Sequence, residues 1–164
     1  MQNISFSETS KVVKKAAELC KGVTTEIGKV EKIYQFIVET IKYDFDKAKQ
    51  VTEGKLNGYL PSVDVIFDAK KGICYDYSSV MAAMLRSQGI PTKLVTGYVA
   101  PKNVYHAWND VFITGQGWIK IQSSVYFDGK AWSRMDSTFA AGNTSGKKND
   151  FIGDGSNYAP KDVY

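Results

Sequence analysis

Apolar side chains recur every three or four positions in the first half of the chain and every second position in much of the rest. Between Ser7 and Lys21, Val12, Val13, Ala16, Ala17 and Cys20 share one face of a helix that Gly22 closes. From Lys29 to Lys42 the stripe is Val30, Ile33, Tyr34, Ile37, Val38 and Ile41, with solvated lysines and glutamates opposite. Residues 43–60 are polar, broken by Gly54, Asn57 and Gly58, and read as a loop. Pro61-Ser62 then opens a short helix, with Ser62 as N-cap and Val63, Ile66 and Phe67 turned inward. Tyr77, Val80, Met81, Met84 and Leu85 form the stripe of the next helix, which stops at Gly89-Ile90-Pro91. Gly72 breaks the backbone just before it, so Cys74 falls at or beside its N-terminus.

Past Pro91 the period becomes two. Residues 92–100 are β-prone, and Tyr105–Ile113 alternates as a strand. Gly115-Gln116-Gly117 turns the chain into Trp118–Gln122, and Asp128-Gly129 marks a hairpin between Val125–Phe127 and Ala131–Met135. Helices followed by antiparallel strands make an α+β fold. The 164 residues suit one domain, with residues 1–26 as an N-terminal helical extension. Glycine, asparagine, serine, aspartate and lysine dominate the end of the chain, so residues 142–164 read as an irregular tail pinned by Phe151, Ile152, Tyr158 and Tyr164.

Composition narrows the function classes. Hydrophobic residues are 43% and charged residues 23% of the chain, ordinary for a globular protein and unlike a disordered one. The net charge of +4 comes from scattered lysines without a basic run, which offers no dedicated surface for nucleic acid or anionic membrane. No apolar stretch approaches the ~20 residues of a membrane span. Two cysteines make no disulfide framework, and no cysteine–histidine spacing suggests a metal or other cofactor.

Cys74 and His106 are the candidate chemistry. A helix N-terminus presents unpaired N–H groups and a positive dipole end, so a thiol there gives up its proton more readily; the plainer alternative is a small buried apolar residue. Cys20, on an apolar helical face, reads as a packed core thiol. His106 is the chain's one histidine, on a strand able to cross the end of the Cys74 helix. Sulfur nucleophilic catalysis needs a thiolate, an imidazole beside it and a third group orienting the imidazole. Sequence alone leaves open whether the side chains meet.

The segments Lys71-Gly72-Ile73-Cys74-Tyr75-Asp76-Tyr77, Leu85-Arg86-Ser87-Gln88-Gly89-Ile90-Pro91, Tyr105-His106-Ala107-Trp108-Asn109 and Met135-Asp136-Ser137-Thr138-Phe139 resemble, in this order, the bacterial transglutaminase-like superfamily. The resemblance covers about residue 27 onward. It implies a papain-like core in which the nucleophile-bearing helix packs on an antiparallel sheet. It also implies a Cys-His-Asp site with Cys74 as nucleophile, His106 as general acid/base and Asp136 holding the imidazole. Many members carry the aspartate one hairpin earlier, where this chain has Gln122; the Asp-Ser-Thr-Phe context favours Asp136. The family's layout suggests Tyr59 as a second oxyanion donor, against the plainer reading of a loop aromatic covering the core. Asp76 and Asp110 read as capping or solvated groups, and Trp108 as a core or cleft-wall residue.

The activity implied is thiol-dependent acyl transfer from a peptide or carboxamide to water or to an amine, without a cofactor. Hydrolysis is slightly favoured because no acidic cluster suits calcium. The partner implied is a protein or peptide substrate, with a cell-wall polymer as one form, met by a monomer. Secreted or cell-surface placement rests on the same resemblance. The alternative class is an inactive module of this fold that binds peptide or cell-wall polymer.

Overall fold

The computed structural model describes residues 4–99, 104–121, 125–127, 132–134 and 158–164. In chain order the elements are α1 (Lys11–Leu19), α2 (Glu26–Thr40), β1 (Lys42–Tyr43), α3 (Phe45–Thr52), α4 (Val63–Ala69), β2 (Lys71–Gly72), α5 (Cys74–Ser87), β3 (Thr92–Val99), β4 (Val104–Ile113), β5 (Gly117–Ile121), β6 (Val125–Phe127), β7 (Trp132–Arg134) and β8 (Tyr158–Val163). Helices and an antiparallel sheet make the α+β architecture expected from the change of period.

Helix α5 is the axis of the molecule. Every residue from Asp76 to Leu85 is buried, so its apolar stripe is only part of what it packs. Ser78, Ser79, Ala82 and Ala83 are small enough to let neighbours approach on the remaining faces. Those neighbours are α1, α2 and α4 on one side and β3 and β4 on the other. Val12, Ile33, Ile37, Met81, Met84, Leu85, Leu94 and Val111 are among the residues of this core; each large one stabilises the fold by about 1.5–3 kcal/mol through burial. The Tyr77 hydroxyl, buried with its ring, donates 2.6 Å to the Ile41 carbonyl and ties α5 to the end of α2.

The four-stranded sheet has the order β5-β4-β3-β8, antiparallel throughout. In its register Thr96 lies opposite Ala107, Gly97 opposite His106 and Tyr98 opposite Tyr105. Asn109 docks β4 on α5, its amide donating 3.0 Å to the Ser78 carbonyl and 3.2 Å to that of Lys93. The β6–β7 hairpin forms at the positions expected as a separate ladder. A short parallel pairing joins β1 to β2, and the Asp44 N–H donates 2.9 Å to the Gly72 carbonyl, bringing the start of α3 beside the start of α5.

Three expectations are corrected. The supposed loop at 43–60 contains α3, capped by Asp44, whose carboxylate accepts the Lys47 N–H at 2.9 Å. The tail is not irregular throughout, since residues 158–163 form β8 and pair with β3. Helix α1 begins at Lys11 rather than Ser7, while Ser62 is the N-cap residue of α4 as expected, without a side-chain capping bond. Among the described residues no helix is long and apolar enough to cross a membrane.

Candidate active site

Cys74 is the first residue of α5, and the preceding Ile73 is extended at φ −105°, ψ 179°. Isoleucine has no side-chain acceptor, so the usual N-cap bond cannot form. Instead Asp76 folds back and its Oδ2 accepts the Ile73 N–H at 2.9 Å, the reciprocal half of a capping box. The Cys74 N–H, in the first turn, has no intrahelical acceptor, and such a group can serve an anion. The thiol is free and partly exposed.

Asp76 does more than cap. Its side chain is 0% exposed and forms an ion pair with the Lys47 ammonium, 2.6 Å from Oδ2. Its Oδ1 accepts the Tyr59 hydroxyl at 2.6 Å, and Lys47 Nζ also donates to that hydroxyl oxygen at 2.5 Å. The ammonium lies 3.9 Å from the centroid of the Tyr59 ring. Burial, and after it the bond to Asp76, raises the Tyr59 hydroxyl well above the ordinary tyrosine range, so it remains protonated. That one proton goes to Asp76, an arrangement that accords with the plainer reading of Tyr59 as a covering aromatic. The sequence reading of Asp76 as a cap holds, but Lys47 was missed. It lies in the helix read as loop, 29 positions from its carboxylate partner.

His106 sits in β4 and is 4% exposed. It and Cys74 line one cleft of about 300 Å³, so the structure brings the two candidates together. Val51, Leu56, Tyr59, Tyr75, Tyr105 and Tyr164 form much of the rest of the lining. The Tyr105 hydroxyl is 2.8 Å from that of Thr96, and its ring meets Tyr98 edge-on at 5.3 Å. Trp108 is buried against Val95 and Asp110 is half-buried. Cys20 is buried in the core, and that burial pushes its thiol pKa up, as suits a packing residue. Asp136 and Gln122, the two candidates for the group orienting the imidazole, lie outside the described residues. A thiol at a helix end with a first-turn N–H, and an imidazole in the same cleft, are the components acyl transfer uses.

The family model of the transglutaminase-like superfamily matches residues 13–123. Among curated proteins, the chain is 30% identical to the uncharacterized YebA of Bacillus subtilis, over 40% of this chain and 11% of that protein. It is 34% identical to a protein-glutamine gamma-glutamyltransferase of Pseudomonas aeruginosa, over 35% of this chain and 10% of that one. The chain thus spans about a tenth of the length of these relatives. Two solved structures share the fold. A candidate cysteine protease from Cytophaga hutchinsonii superposes with a TM-score of 0.59 at 18% identity, over 94% of this chain and 42% of that one. The periplasmic domain of TgpA from Pseudomonas aeruginosa gives 0.54 at 22% identity, over 72% and 44%. With its segments in family order, its helix and sheet arranged as in these structures and the family model covering most of its length, the chain belongs to the transglutaminase-like superfamily.

Proposed function

We propose that the protein is a thiol enzyme of acyl transfer acting on peptide or carboxamide bonds. The observation that carries this reading is that Cys74, at the head of α5, and His106, on β4, line one cleft. The Cys74 sulfur attacks the carbonyl carbon, the carbonyl oxygen gathers negative charge, and the Cys74 N–H donates to it. His106 takes the thiol proton and delivers it to the leaving amine, so the C–N bond breaks and a thioester remains. Water or a second amine then attacks the thioester, with His106 receiving its proton, and the thiol is regenerated. Asp136 orients the imidazole in this reading, by resemblance. The Pseudomonas relative's name supports an amine as acceptor, and a product assay with and without a primary amine separates the two fates. Placement outside the cytoplasm belongs to the same proposal, and fractionation of the native host checks it.

The test is iodoacetamide alkylation of Cys74 and Cys20, followed by peptide mass spectrometry in wild type and His106→Ala. Cys74 should label much faster than Cys20, whose burial also disfavours its thiolate. The His106→Ala variant should slow Cys74 by about tenfold or more and leave Cys20 unchanged. Equal labelling of Cys74 in both proteins would remove the imidazole from the mechanism.

A further inference from the structure

We infer that Lys47, Tyr59 and Asp76 form a positioning unit that fixes Tyr59 as a wall of the Cys74 cleft, making the site one for acyl groups with a neutral apolar or aromatic side chain. This deepens the proposed function and rests on Cys74 being the nucleophile. The first observation is how much holds one ring. Its hydroxyl gives its proton to a fully buried carboxylate at 2.6 Å and accepts from Lys47 at 2.5 Å, while the ammonium covers its face. Tyr75, also lining the cleft, meets the ring at 83° with centroids 6.5 Å apart. Residues 53–55, 57, 58 and 60 around Tyr59 are exposed, and the segment's other bonds are local ones, such as the Lys55 N–H to the Gln50 carbonyl at 2.9 Å and the Tyr59 N–H to the Leu56 carbonyl at 3.2 Å. The wall therefore keeps its place chiefly through Asp76, the same carboxylate that fixes the Ile73 N–H one residue before the thiol. Wall and nucleophile share a single anchor.

The second observation concerns charge. The Lys47–Asp76 pair is close to the site, yet neither residue lines the cleft. Among the described residues the lining is mostly aliphatic or phenolic, with Asn57 and Thr96 as neutral polar members beside Cys74 and His106, and with no carboxylate and no ammonium. Among the described residues a charged acyl side chain would lose water there without gaining a carboxylate or ammonium partner, whereas an apolar or aromatic one would meet Val51, Leu56 and tyrosine rings. A volume of about 300 Å³ has room for one such side chain.

The experiment follows the burst of p-nitrophenol from three p-nitrophenyl esters, acetate, 3-phenylpropionate and hemisuccinate, with Cys74→Ala as the background. Wild type should acylate fastest with phenylpropionate and slowest with the anionic succinate. Tyr59→Phe and Lys47→Met should lower the phenylpropionate-to-acetate ratio by about tenfold, the phenylpropionate rate falling further than the acetate rate. Lys47→Arg, which keeps a cationic donor, should restore much of the ratio. Thermal melts identify variants that unfold, and Tyr59→Phe, the mildest change, decides the matter if Lys47→Met does not fold. An unchanged ratio in folded Tyr59→Phe, an equal fall of both rates, or a wild-type preference for succinate overturns the positioning unit. Absence of any Cys74-dependent burst with acetate removes the nucleophile itself, a different failure and a separately visible one.

Discussion

Gly72 shows how a single position ties the backbone to the site. Its φ is not in the left-handed region, so conformational freedom is not why glycine stands there. Space is. A Cβ at 72 would lie 2.7 Å from the Asp76 Cβ and 3.0 Å from Oδ2. The first of these belongs to the rigid first turn of α5 and cannot swing away. Gly72→Ala should therefore push Asp76 off the Ile73 N–H and loosen its hold on Lys47 and Tyr59. We expect a loss of about 1–3 kcal/mol in urea melts, together with faster exchange of the Ile73 amide. A variant as stable as wild type, with that amide still protected, would show that the turn adapts. The glycine and cysteine were legible in the sequence, and so was a capping role for Asp76. The ion pair was not, because a carboxylate at a helix start looks the same whether it faces water or a buried ammonium. Gly97 belongs to the same class of constraint: a Cβ there would meet the Ala159 carbonyl oxygen at 2.1 Å, so β8 approaches β3 only because that position is bare.

At the scale of elements, periodic segments were read well and the unpatterned ones were not. The stripe of α2 corresponds directly to a buried face, whereas β4 alternates in burial only from Asn109 to Ile113, because His106 to Asn109 are all buried. Helix α3 has no buried residue, so it has no apolar stripe to read; its signal is the Asp44 cap with Asp46 in the first turn. Strand β8 carries Pro160 and Lys161, which interrupt alternation, and it survives as an edge strand with a register shift at Thr96/Gly97. Since α3 has no fully buried residue, its cap matters more, and α3 carries Lys47. The Asp44 carboxyl is held below the usual range, first by the Lys47 N–H it accepts and then by the Lys71 ammonium. A depressed folded value means the stabilisation is complete above the ordinary aspartate pKa of about 3.9 and is lost as pH falls through the folded value. Asp44→Ala should cost about 1 kcal/mol at pH 7, and the gap between variant and wild-type melting curves should narrow below about pH 4. A gap that stays constant down to pH 2.5 would mean that the carboxylate charge contributes nothing there.

For the molecule as a whole, the cleft is assembled from segments far apart in sequence, and closing it depends on how the last strand is fastened. Tyr164 lines the cleft, and its backbone N–H and carbonyl pair with Leu94 at 2.8 and 2.9 Å. Arg86, near the end of α5, donates from Nε to the Thr92 carbonyl at 2.8 Å and from Nη2 to the Tyr164 carbonyl, 78 positions away, at 3.1 Å. One guanidinium thus joins the far end of the central helix to the start of β3 and the end of β8. Burial of the guanidinium lowers its pKa from the ordinary arginine value. Arg86→Met keeps the apolar stem and removes both donors. We expect a loss of about 2–4 kcal/mol from two charge-assisted bonds. Exchange should accelerate at the Leu94 and Tyr164 amides while those of Met81 to Leu85, in the middle of α5, keep their relative protection. Arg86→Lys should recover only part of this, since a single ammonium cannot reproduce the planar fork that reaches both carbonyls. Uniform loss of protection across α5 and the sheet would instead make Arg86 a global stability residue, and the selective release of β8 would have to be abandoned.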